Sequence, residues 1–249
     1  MERQTGAWFG GSRGQMARYC VAVAGLAALF AAGLLQTASQ AADCRATPAP
    51  SVDWKGCKKG GLLLPESMLE GAVLVDADLS GTDLRYSNLT GADLEKATLI
   101  RTSFAGSRAD GANFSRIEGY RTVFTGVSAK DASFASAELQ RADFTGADLT
   151  GADFQKSELG RANFQDATIT GTSFAFANLA RAELQGAKYE GPIDFTGAFT
   201  FITRFDGLDL SQAKGLTQSQ VDEACGTAET KLPEGLKPGA KWPCNFKFD

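Results

Sequence analysis

Five arginines, Arg101, Arg121, Arg141, Arg161 and Arg181, recur every twenty residues. If one structural period separates them, they form a column of planar guanidinium forks, a geometry suited to phosphate or carboxylate groups. Glu118, Glu138 and Glu158 follow the same period three residues earlier, and a glutamate beside each guanidinium would compete with any ligand. The expectation is therefore a surface ion ladder, worth about 0–1 kcal/mol per pair, with anion binding as the rival reading.

Asp78, Asp83, Asp93, Asp143, Asp148 and Asp153 invite a search for paired carboxylates or a calcium site. At equivalent places the chain carries Asn, Ser, Thr or Glu, so bonding to nearby backbone or exposure to water is the simpler account. The glycine-rich nonapeptide of calcium-binding β-rolls is absent. The 249 residues include no histidine, which removes Ser/His/Asp triads, Cys/His pairs and His-ligated metals together. No catalytic residue, cofactor or metal site is assigned.

The element that must position these residues has a period of five. Counting from Leu69 gives Leu74, Leu79, Leu84, Leu89, Leu94, Leu99 and Phe104, and from Phe134 the series runs unbroken to Tyr189. Ala109, Gly119 and Ala129 are the weak centres between. Two residues before each centre sits a small one, such as Ala77, Thr82, Ala92, Ala142, Ala147 or Ala152. A period of five fits neither the 3.6 of a helix nor the strict alternation of a strand. It suits a chain that runs extended for a few residues, turns a corner and repeats.

The tandem pattern A[DN][LF]xx, seen three times in QRADFTGADLTGADFQ at residues 140–155, resembles the pentapeptide repeat family. The resemblance covers residues 62–212 and implies an all-β solenoid, a right-handed quadrilateral β-helix with four repeats per coil. A twenty-residue period should follow, and the sequence carries one. Phe104, Phe124, Phe144 and Phe164 fall on one side, and Phe114, Phe134, Phe154 and Phe174 on the side opposite. Each set should stack along the axis at about 4.8 Å. The weak centres then lie on the other two sides, where opposing rings already fill the section, and Ile117 and Val127 return the lost volume.

The ends need caps, because the edges of a β-helix are open strands. Residues 1–41 read as an export signal: Arg13 and Arg18 precede an apolar run from Cys20 to Leu35, and Ser39-Gln40-Ala41 offers a cleavage site. Met16 would give that leader ordinary proportions as a start. An uncleaved anchor is the rival, but the sixteen apolar residues fall short of the roughly 20 needed to span a membrane. Residues 42–61 are assigned to an N-terminal cap and 213–249 to a C-terminal cap. In the latter, Thr217 and Gln220 form a capping-box pattern ahead of a short helix, and the segment LTQSQVDEACGTAETKLPEGL resembles the ending of exported bacterial members of the family. The register slips by one at Gly191-Pro192 and resumes at Phe195, Phe205 and Leu210. Cys44, Cys57, Cys225 and Cys244 allow three pairings. Cys44 with Cys57 and Cys225 with Cys244 is the expectation, since a rod holds its two ends beyond the roughly 7 Å a disulfide spans.

Three classes of function come into question. Loss of the leader takes the net charge from −4 to −6, because Arg3, Arg13, Arg18 and Glu2 leave with it; that balance draws the protein to neither nucleic acid nor anionic lipid. The first class is an exported, non-catalytic binding or structural scaffold in the periplasm or outside the cell, its partner a protein or an anionic envelope polymer. The second comes from the resemblance: some cytosolic members of the family mimic duplex DNA and bind DNA gyrase, which demands a cytosolic location and a strongly acidic surface. An enzyme is the third, and the missing histidine opposes it. The first is the expectation.

Overall fold

The computed structural model describes residues 42–244. The leader expected over residues 1–41, with its alternative start at Met16, lies outside the described residues. From Gly56 to Gly186 every fifth residue has φ between +54° and +72°, and the residue before it does not share that sign. This is the pattern of a type II turn, closed by a bond from the fourth residue to the first, as in Ala97 N–H to Leu94 O at 2.9 Å. Four such turns bring the chain back over itself after twenty residues. The result is a right-handed quadrilateral β-helix whose flat sides are two or three residues long.

Parallel bridges join each outward residue to the one twenty positions later, for example Asp93 to Asn113 and Glu118 to Glu138. They run from Asp53 to Lys231, a wider span than the 62–212 read from the leucine and phenylalanine series. At the register slip the spacing becomes twenty-one, with Ser173 paired to Asp194 and Asn178 to Phe199. The turns add their own ladder, since the N–H of most left-handed residues donates to the next coil, as Arg141 does to Gly160 O at 2.9 Å. Buried hydroxyls are satisfied in the same way: Thr102 Oγ1 donates to Leu79 O at 2.7 Å and Thr122 Oγ1 to Leu99 O at 2.8 Å.

The core is made of the fifth-residue centres and the small residue two before each. Phe134 stacks between Phe114 and Phe154 with centroids 4.8 and 4.6 Å away, and Phe124 stacks on Phe144 at 4.8 Å. The two ladders meet edge to face, with Phe134 5.6 Å from both Phe124 and Phe144, the arrangement that aromatic quadrupoles favour. Gly119 is small because Leu139, Thr122 and Ile117 already occupy its space: a Cβ there would stand 2.8 Å from Leu139 Cδ2.

Both ends are closed by covalent caps. Cys44 and Cys57 are joined, with Cα atoms 5.4 Å apart, and beside them Trp54 is fully buried beneath the Lys59 ammonium, 3.9 Å from its ring. At the far end, helix α1, Gln218–Glu223, starts from the Thr217–Gln220 capping box. Gln220 does more than cap: its amide also donates to Phe195 O and Ala198 O at 2.9 and 2.8 Å, tying the helix onto a corner of the solenoid. Cys225 and Cys244 are joined, and the Trp242 indole donates to Ala224 O at 2.7 Å. Its ring lies against Gly226, where a Cβ would meet it at 2.5 Å. Among the described residues no helix is long and apolar enough to cross a membrane.

Two outcomes follow from this architecture. Phe134→Ala should destabilise by about 3–5 kcal/mol and Gly119→Ala by about 1–3 kcal/mol, the first by emptying a filled section and the second by overfilling one; urea melts read both. Replacing Cys225 and Cys244 together by Ser should lower stability by about 3 kcal/mol, the loop-closure contribution of a bridge of that span, while circular dichroism of the coils stays unchanged.

Candidate functional site

The aspartates of the repeat are structural. Asp93 Oδ1 accepts from Glu95 N–H at 3.1 Å, Asp143 Oδ1 from Thr145 N–H at 3.0 Å and Asp148 Oδ1 from Thr150 N–H at 3.2 Å, so each folds back onto the turn that follows it. The Ser80 side chain and backbone hold Asp78 below the usual carboxylate range, and Lys231 with Ser211 takes Asp209 to about 2. Among the described residues no three acidic or cysteine side chains converge as a metal site would require.

The arginine column is placed differently from the sequence expectation. Arg101, Arg121, Arg141, Arg161 and Arg181 occupy the left-handed position of one corner, with φ between +58° and +61°. An L-residue there pays roughly 1–2 kcal/mol that glycine avoids, and this same corner does begin with glycines, Gly61 and Gly81. The corner built from Gly71, Gly91, Gly111, Asp131, Gly151 and Gly171 keeps them almost throughout. One edge of the solenoid therefore accepts five consecutive arginines against the local preference of its backbone.

These arginines do not form the expected ladder with Glu118, Glu138 and Glu158. Among the described residues none of the five has an acidic oxygen within ion-pair distance, whereas Arg85–Asp83 at 2.7 Å, Arg116–Glu95 at 2.9 Å and Lys130–Asp148 at 3.1 Å are formed elsewhere. The three glutamates stack along the middle of a flat side, while the arginines leave from its corner, and Glu158 accepts from the Asn178 amide at 2.8 Å instead. Arg121 alone has an aromatic contact, its guanidinium 5.3 Å from the Tyr120 ring.

The next coil explains why the guanidinium groups stay uncovered. Elsewhere a bulky corner residue lies down on the corner glycine of the following coil: Tyr86 covers Gly106 and Phe176 covers Gly197, where a Cβ would collide at 2.6 and 2.7 Å. Along the arginine edge the following corner is another arginine, and after Arg181 it is Ile202. No bare corner is available, so four of the five arginines are exposed and Arg181 is half-buried. The left-handed corners escaped the sequence reading, although glycine two residues after many centres was a visible signal for them.

A stability measurement separates this geometry from an ion ladder. Arg141→Gly should leave stability unchanged or raise it by up to about 1 kcal/mol, since relief of the left-handed strain is offset in part by the freer unfolded chain of glycine. A paired arginine would instead show a loss in the same urea melt.

Comparison with known proteins agrees with the fold. A profile of pentapeptide repeats matches in eight copies, over residues 68–99, 77–116, 120–155, 130–166 and 157–188. Among solved structures, two trypsin-treated forms of QnrB1, a plasmid-mediated fluoroquinolone resistance protein, superimpose with TM-scores of 0.56 and 0.51 at 17% identity. The first covers 74% of this chain and 90% of QnrB1, the second 78% and 89%. At that identity the likeness is one of fold. Among curated protein sequences none matches. The repeat profile, the twenty-residue coil and the shared architecture agree on one conclusion: the chain belongs to the pentapeptide repeat family.

Proposed function

We propose that this protein is an exported, non-catalytic scaffold of the periplasm or cell exterior whose arginine edge docks an anionic partner. The observation that carries the reading is the row of five unpaired guanidinium groups on strained corners. A guanidinium group kept at a position that disfavours it, and given no acidic partner in its own chain, supplies binding rather than stability. Export is supported by the apolar run with Ser39-Gln40-Ala41 and by the two disulfides, bonds that persist in oxidising compartments.

A second reading, DNA mimicry directed at a cytosolic gyrase, draws support from the fold shared with a fluoroquinolone resistance protein. It needs a continuous acidic surface, and the arginine edge interrupts one.

Intact-mass analysis of protein taken from its native compartment should give a chain beginning near Ala42, and a full-length cytosolic product would overturn export. For docking, replacing Arg121, Arg141 and Arg161 with Gln should abolish retention on immobilised polyphosphate and polygalacturonate while the melting temperature stays near that of the unchanged protein. Retention of the unchanged protein should fall steeply with salt, because exposed charges are screened over about 8 Å at physiological ionic strength.

A further inference from the structure

Beyond Arg181 the edge ends in a pair of phenylalanines that the core does not use. Phe199 and Phe201 flank Thr200, which the register slip makes the buried centre of its repeat. Both rings therefore face outward, 49% and 42% exposed, and they lie nearly parallel, 10° apart with centroids 6.2 Å from each other. Phe201 is one coil further along the corner than Ala180, and its carbonyl accepts the Arg181 N–H at 2.9 Å. The platform is thus in line with the arginine row.

Between this platform and Tyr120 the residues beside the arginines are Gln140, Gly160 and Ala180. Gly160 and Ala180 carry little or no side chain, so the corner from there to the platform is a low shelf bordered by guanidinium groups, with Gln140 and the Tyr120 ring standing beyond it. Next to Phe201 and Ile202 the surface sinks into a hollow of about 330 Å³ that Lys241 and Glu223 also line.

We propose that the anionic partner is an acidic polysaccharide, an extended chain with a carboxylate on each sugar, laid along this shelf with one end stacked on Phe199 and Phe201. This rests on the reading of the edge as an anion dock and gives its ligand a class. Parallel exposed rings present negative π faces, which attract the polarised C–H faces of sugars and offer nothing comparable to a bare polyphosphate. The row repeats at about 4.8 Å per coil, close to the length of one sugar unit, so in an extended chain whose successive sugars alternate in facing, every second carboxylate meets every second guanidinium group. An extended peptide repeats its same-face side chains at about 6.8 Å and would drift out of register. Duplex DNA carries one charge per about 1.7 Å of axis on paths that wind away from a straight edge. Glu158, two coils before Phe199 on the flat side, is engaged by Asn178, and Glu223, which lines the hollow beside Phe201, shares it with the Lys241 ammonium.

Calorimetric titration of the disulfide-bonded protein with polygalacturonate, oligogalacturonates of increasing length, polyphosphate and duplex DNA tests the assignment. Polygalacturonate should bind, and oligomer affinity should rise with length until the oligomer spans the row. Replacing Phe199 and Phe201 together by Ala should weaken polygalacturonate by about tenfold, equivalent to about 1.4 kcal/mol, and leave polyphosphate binding unchanged. Unchanged polyphosphate binding also reports that the variant is folded. Equal binding of both polymers with no effect of the phenylalanine change would overturn the glycan assignment and spare the dock. Binding of neither, or binding indifferent to Arg121→Gln, Arg141→Gln and Arg161→Gln, would remove the dock as well. Preference for duplex DNA would defeat both.

Discussion

The chain must turn a corner every five residues, and it does so by holding one residue of each repeat in the left-handed region of backbone space. That requirement organises everything above it. Four equal corners close a coil after twenty residues, so every side chain is stacked on its counterpart one coil away. The same closure places each outward residue in bridge register and satisfies the N–H groups at the corners. Glycine meets the requirement without strain; where another residue stands there, some other demand has prevailed.

Much of this was legible in the sequence because it depends on position alone. The centres at fives, the phenylalanine ladders at twenties, the slip at Gly191-Pro192 and the capping box at Thr217 are patterns of residue type, and the structure places Phe134 between Phe114 and Phe154 as the count requires. Local cysteine pairing could be read because the rod it assumes is a property of the repeat. What the sequence hid depends on direction. Arg141 and Glu138 are three residues apart, close enough to pair in many folds, yet one leaves from a corner and the other from a flat side. Phe199 and Phe201 look like ordinary apolar residues until the slip makes Thr200 the inward one, and a shift of a single residue reverses which side chains meet water.

The molecule is acidic as a whole, with a net charge of −4, so its basic edge stands out by arrangement rather than amount. Some charges elsewhere are spent within the chain: Asp83 on Arg85, Asp148 on Lys130, Asp209 on Lys231. A cation that neither braces a turn nor joins two coils is available to something outside the chain. Separation of labour between the buried centres and the corners allows this, since a corner side chain can change without touching the packed rings.

The twenty-residue coil also sets how such a protein can change length over evolutionary time. Duplication or loss of one whole coil is the length change that keeps every column aligned, every stacked ring opposite a ring and both caps intact. A gene that gains a coil in the middle of the arginine row gains one guanidinium group on the same line, at the same spacing, with no new fold to invent. Reach along a linear partner can therefore be adjusted in equal steps, as the teeth of a rack are added, while the contact made by each step stays constant.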